Sequence, residues 1–191
     1  MAGVAGPMLR GSRAVGARFL AGLLVGEVAA GVLLAVPAFL AGEGLHAVLG
    51  PRARLWAVAG ICVAFGLADL AGRTPRTARQ VPEELIRRLP AGSLGLAWGF
   101  DLGLLFTTQK AVSLIWVAIA AAVLLDPPVA AALIVAVAVA ASMTVVAISV
   151  WRRPGVDRLS GWGRRVRLAR QGSGAAILGL FVVTAVQAWH A

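Results

Sequence analysis

Five long, almost uncharged apolar runs restrict this chain to one class of fold. They cover 19–41, 55–72, 94–125, 129–150 and 175–189. A helix needs about 20 apolar residues to cross the roughly 30 Å of hydrocarbon in a bilayer. Because lipid offers no partner for backbone polar groups, such runs must be helices. The sequence therefore predicts an all-α fold, a polytopic transmembrane helical bundle that forms a single membrane domain over 1–191.

The composition supports this prediction. The chain is 60% hydrophobic and only 14% charged, whereas a soluble domain is about half apolar and about a quarter charged. The expected spans are 19–41, 55–72, 98–125, 129–150 and 173–189. The first run is longer than the apolar core of a signal peptide, so we expect it to be retained as a helix.

The arginines indicate the orientation. All but one of the 18 basic residues are arginine, and they concentrate before the first run and in the segments 73–92 and 151–171. Cytoplasmic loops of membrane proteins carry such an excess. We therefore expect the N-terminus and both segments to be cytoplasmic.

This distribution of arginines also explains the net charge of +10 without a nucleic-acid partner. The expected partners are the lipid bilayer and a second copy or another membrane protein. The bias towards arginine and alanine suggests a multi-pass protein of the bacterial plasma (inner) membrane.

The run 94–125 is too long for one span, since a helix of this length would measure about 48 Å at 1.5 Å per residue. Two interpretations are open. The helix begins in the membrane interface, which gives about five spans, or it breaks near 107–110, which gives six.

Charged residues within apolar runs mark a candidate site. A charge at the centre of a bilayer costs at least about 2.5–3.5 kcal/mol, so such residues face the protein interior and usually have partners. Glu27 and Lys110 have similar expected depths, which suggests an ion pair. The alternative is that Lys110 reaches the interface and Glu27 is protonated. Asp69 is expected to be an interfacial charge that faces Arg73 or Arg76. The candidate intramembrane polar site comprises Glu27, Asp101, Thr108, Gln109 and Lys110.

Glycines and one proline suggest close helix packing. Small residues four apart let membrane helices approach one another. The candidates for this packing are Gly22, Gly26, Gly95, Gly99 and Gly103. Pro37 lies within the first run and removes a backbone donor, which predicts a kink.

Two segments resemble a known family. The run 31–40, GVLLAVPAFL, and the run 98–107, WGFDLGLLFT, are similar to helices of the cytochrome c biogenesis/thiol-disulfide interchange transmembrane family. The resemblance implies a compact bundle of two related three-helix halves, akin to the lysine-exporter superfamily. That family's redox activity needs two membrane cysteines, but Gly31 stands where the first would be. The chain has a single cysteine, Cys62. The electron-transfer activity is therefore not expected here.

The sequence favours a small transporter or exporter, or a subunit of one, because charges inside the membrane and broken helices mark transport paths. The alternative is a non-catalytic scaffold or assembly factor, which the glycine stripes and basic loops favour.

An enzyme or redox carrier is disfavoured, because the sequence shows no nucleophile with a base and no carboxylate pair. No cofactor is expected. His46 and His190 lack the spacing of metal ligands, so no metal site is expected.

Overall fold

The computed structural model of this chain describes residues 12–73, 88–104, 113–151 and 162–190, without the side chains of 148–151 and 162–165. Every regular element in these ranges is an α-helix. The helices are α1 (Arg13–Val48), α2 (Pro51–Leu70), α3 (Ala91–Gly103), α4 (Leu114–Leu125), α5 (Pro127–Trp151) and α6 (Trp162–His190). The predicted all-α fold is confirmed for the described part of the chain.

Four of these helices contain segments that are long and apolar enough to cross a membrane. The segments are Arg13–Val48, Pro51–Leu70, Pro127–Ala147 and Val166–His190. They overlap the predicted spans at 19–41, 55–72, 129–150 and 173–189. Helix α4 is also apolar, but its 12 residues extend only about 18 Å. These helices are consistent with an integral membrane protein.

The helix ends differ from the predicted span limits. Helix α6 begins at Trp162, within the segment 151–171 that was expected to be a loop. Arginine is a good helix former, so the basic segment extends the apolar helix instead of ending it. Helix α2 starts with Pro51 in its first turn, where the missing N–H has no intrahelical role. It is followed by Gly72 at φ +69°, the left-handed conformation that commonly terminates helices.

The predicted span 98–125 is not one continuous helix. Helix α3 ends at Gly103, Leu104 lies in a turn, and Ser113 lies in a bend before α4. Glycine is a poor helix former, and α3 ends at one. Two helices, α3 and α4, therefore occupy parts of the run that was predicted as one span, in line with the interpretation of six elements. The predicted break at 107–110 lies outside the described residues.

The described helices form two compact units. The first contains α1 up to Ala35, α3, and α5 from Ile134. Its core comprises Phe19, Leu23, Leu94 and Trp98. The Phe19 and Trp98 rings meet edge to face, with their centroids 6.1 Å apart, a favourable arrangement for aromatic pairs.

The second unit contains the rest of α1, the start of α5, and α2, α4 and α6. Its core comprises Val58, Cys62, Val117, Leu124 and Ile177. Helix α1 continues through Pro37, and the chain passes from the first unit to the second at Val36, directly before this proline.

Candidate functional site

A buried carboxylate joins three helices of the second unit. Asp69, in the last turn of α2, is only 1% exposed. Its Oδ2 accepts hydrogen bonds from the backbone N–H of Ser113 at 2.8 Å and from the hydroxyl of Ser173 at 2.7 Å. Its Oδ1 accepts a third bond, at 2.7 Å, from the Ser113 hydroxyl. We call Asp69, Ser113 and Ser173 the Asp69 cluster. It links the end of α2, the start of α4 and the interior of α6.

The position of Asp69 in α2 requires partners from other helices. The C-terminal end of a helix carries partial negative charge and disfavours an acidic side chain there. Ser113 precedes the first residue of α4, where unpaired N–H groups and the helix dipole favour a negative charge. The Ser113 hydroxyl makes no capping bond to its own helix and instead donates to Asp69. The carboxylate thus occupies the positive end of α4.

Close packing of α2 against α6 brings Ser173 to Asp69. A Cβ at Gly174 would lie 3.0 Å from the backbone carbonyl oxygen of Gly66 and 2.8 Å from the Leu70 side chain. A Cβ at Gly66 would in turn lie 3.0 Å from the Leu178 side chain. Small residues permit such approach between membrane helices. The glycines therefore set the short distance that the Asp69–Ser173 hydrogen bond needs.

A cleft of about 530 Å³ lies beside the cluster. Residues at the end of α2 and near the start of α6 line it. They are Asp69, Leu70, Ala71, Gly72, Val166, Arg167, Arg170 and Gln171. The Arg170 guanidinium donates a long hydrogen bond of 3.4 Å to the Gly72 carbonyl. The cleft therefore combines one carboxylate with two guanidinium groups.

The residues predicted as the polar site are only partly described. Glu27 is fully buried in α1, with 0% exposure, and Asp101 is half-buried in α3. Both lie in the first unit, whereas Asp69 lies in the second. Thr108, Gln109 and Lys110 fall outside the described residues. The Glu27–Lys110 ion pair therefore stays a prediction.

The glycines predicted to pack helices lie where α1 and α3 are in close contact. A Cβ at Gly22 would meet the carbonyl of Gly92, and one at Gly26 would meet the carbonyl of Leu96. A Cβ at Gly103 would lie 2.6 Å from the carbonyl oxygen of Glu27.

The two remaining glycines of α3 have backbone neighbours as well. A Cβ at Gly95 would meet the carbonyl of Phe19, and one at Gly99 would meet the carbonyl of Leu23. The two backbones are in direct contact along this stripe, and no side chain fits between them.

The Asp69 cluster differs from the sequence-based expectation. An interfacial charge was expected at Asp69, but this residue is buried and hydrogen-bonded to Ser113 and Ser173. One signal was present in the sequence: an acid in the last turn of an apolar helix opposes the helix dipole and therefore needs donors from elsewhere. No pattern in the sequence identified the two serines as those donors.

Histidine and cysteine have structural roles here. The His46 Nε2 is 2.9 Å from the carbonyl oxygen of Leu124, and this hydrogen bond ties the end of α1 to the end of α4. Cys62 is buried in the core of the second unit. Within the described residues, no group of three or more His, Cys, Asp and Glu side chains is placed to hold a metal ion.

Comparison with known proteins assigns no family. No protein-family model matches the chain, and no curated protein or solved structure is detectably similar to it. The resemblance to the cytochrome c biogenesis family stays a prediction.

Proposed function

We propose that this chain is a small transporter or exporter, or a subunit of one, in a bacterial plasma membrane. The observation that supports this most is the Asp69 cluster: a buried carboxylate beside a cleft, at the start of a helix that follows an interruption. Discontinuous helices whose N-terminal ends face charged groups are typical of binding sites in secondary transporters. Ionisable groups within membrane segments likewise mark solute and proton pathways.

The alternative is a membrane scaffold that assists the assembly of another complex. The observation in its favour is the glycine stripe between α1 and α3, which packs backbone against backbone. Such packing gives a rigid unit without requiring a path for a solute.

Flux through proteoliposomes tests the transport proposal. The full chain would be reconstituted into liposomes, and the uptake of isotope-labelled cationic, anionic and zwitterionic solutes added outside would be measured. Wild type should give a flux that depends on one class of solute. If Asp69 binds the solute, Asp69→Asn should lower the flux at least about tenfold in folded protein, since a charge-assisted hydrogen bond to the solute contributes roughly 1.5–3 kcal/mol.

Asp126→Asn is the matched control. Asp126 is exposed and accepts a hydrogen bond from the Val129 N–H at the start of α5, outside the Asp69 cluster. This variant should transport at the wild-type rate. Lys110→Ala, also predicted to lie on the path, should reduce the flux. Equal flux from wild type and Asp69→Asn would contradict the proposal. Absence of flux for every solute, with the protein folded and incorporated, would favour the scaffold.

A further inference from the structure

The cleft between the end of α2 and the start of α6 has the composition of an anion site. Arg167 and Arg170 both line it, and their spacing of three residues places them on one face of α6. Like charges at this spacing repel one another, and an anion bound between them would relieve that repulsion. Among the described residues of the lining, Asp69 is the single carboxylate, so the two arginines outnumber it.

The geometry of the arginines suits a phosphate group. A guanidinium carries five N–H donors in a planar fork that matches the oxygens of phosphate in pairs. Arg167 is exposed and Arg170 is half-buried, so one guanidinium is open to solvent and the other is partly enclosed by the cleft. The hydrogen bond from Arg170 to the Gly72 carbonyl holds the second side chain at the cleft. The Gly72 carbonyl belongs to the left-handed turn that ends α2.

The cleft also lies where two apolar segments end. The apolar segment of α2 ends at Leu70, and the uncharged part of α6 begins after Arg170. Both residues line the cleft. A bilayer that covers these segments therefore has its polar boundary at the cleft, which is the level of lipid phosphates. Basic pockets between membrane helices at this level bind anionic headgroups. The volume of about 530 Å³ lies within the range of about 300–1,000 Å³ that is usual for small-molecule sites.

We propose that this cleft binds a phosphate group at the membrane surface, supplied either by the headgroup of an anionic phospholipid or by a soluble phosphate ester. Arg167 and Arg170 bind the phosphate oxygens, Gln171 adds a polar contact, and Leu70 and Val166 pack against the apolar part of the ligand. The proposal concerns the same cleft as the transport proposal, but binding is measured without flux, so the failure of one is distinguishable from the failure of the other.

Binding to the purified full chain in a neutral detergent tests the proposal. The lipid probes are phosphatidylglycerol and, as a zwitterionic comparison, phosphatidylcholine, and the soluble probe is glycerol 3-phosphate. The affinity of each would be measured by native mass spectrometry or thermophoresis. Wild type should bind phosphatidylglycerol, glycerol 3-phosphate or both more tightly than phosphatidylcholine. The double variant Arg167→Gln with Arg170→Gln should weaken that binding at least about tenfold.

The matched control removes the same charge elsewhere. Arg13 and Arg18 are exposed on α1 and are expected on the same side of the membrane. Replacing both with Gln should leave the affinity within about twofold of wild type if binding is specific to the cleft. The single variant Arg167→Gln changes only an exposed side chain, so its unfolding temperature should stay unchanged. A reduced affinity in this variant would then show loss of binding and not loss of folding.

The two sources are distinguished by the probes. Tight binding of phosphatidylglycerol without binding of glycerol 3-phosphate identifies a lipid site, whereas binding of glycerol 3-phosphate that competes with the lipid identifies a site for soluble phosphate esters. The proposal is overturned if neither anionic probe binds more tightly than phosphatidylcholine, whose phosphate charge is balanced by its own ammonium group. It is also overturned if the cleft variant and the control variant lose affinity equally.

Discussion

At the scale of single residues, Asp69 shows how a charge is accommodated in an apolar bundle. Removing a carboxylate from water costs several kcal/mol unless donors replace its hydration. Ser113 supplies two donors and Ser173 supplies one. Each of these hydrogen bonds joins two helices, so each should contribute to the stability of the second unit.

Ser173→Ala tests this contribution. The substitution removes a donor to a buried charged group, and we expect the free energy of unfolding to fall by about 1.5 kcal/mol or more. Ser142→Ala is the control, because Ser142 is also buried but donates to the Ala138 carbonyl of its own helix. Its loss should cost about 0.6 kcal/mol or less. Thermal unfolding in detergent measures both variants. Equal effects would show that the Ser173 hydroxyl does not act through Asp69.

Sequence reasoning could identify Glu27 as a buried charge, but not the surroundings of Asp69. Glu27 lies deep within an apolar run, and the cost of exposing it to lipid is evident from its position alone. Asp69 lies near the end of a run, where water or arginine is an equally reasonable partner. Ser113 and Ser173 are 44 and 104 residues away in sequence, so only tertiary packing reveals them.

At the scale of helices, the apolar runs predicted which segments are helical but not where each helix ends. An apolar run that is surrounded by lipid must be helical, whereas the residue at which a helix ends depends on local caps and on neighbouring helices. Helix α6 extends through basic residues that a hydropathy pattern excludes. Helix α3 ends at Gly103, against the backbone of Glu27, a contact that the sequence does not show.

The contact between α1 and α3 should be intolerant of a single added methyl group. At Gly99 a Cβ would lie only 2.8 Å from the Cα of Leu23, so Gly99→Ala must push two backbones apart. We expect a loss of about 1–3 kcal/mol in the free energy of unfolding, measured by thermal unfolding in detergent.

Gly60→Ala provides the opposite expectation. Gly60 lies within α2, and nothing is within 4 Å of a Cβ at this position. Alanine restricts the unfolded chain more than glycine does, so this variant should gain about 0.5–1 kcal/mol. If both variants changed stability in the same direction, the close approach of α1 and α3 would not be the cause.

At the scale of the whole molecule, the outward faces of the helices are apolar. Helix α1 exposes Val25, Val32, Leu33, Val36 and Leu40, and their spacing places most of them on one side of the helix. Helix α6 likewise exposes large apolar residues. They are Leu168, Leu180, Val182, Val183, Val186 and Trp189. Soluble monomers rarely expose continuous apolar surfaces of this extent. Lipid is the solvent that makes these faces stable.

Extraction of membranes with alkaline carbonate tests this claim most directly, because it releases peripheral proteins and leaves proteins that span the bilayer. We predict that the full chain stays in the membrane pellet and dissolves only when detergent is added. Recovery of the chain in the supernatant as a folded monomer without detergent would contradict the account, since the exposed apolar faces would then be stable in water.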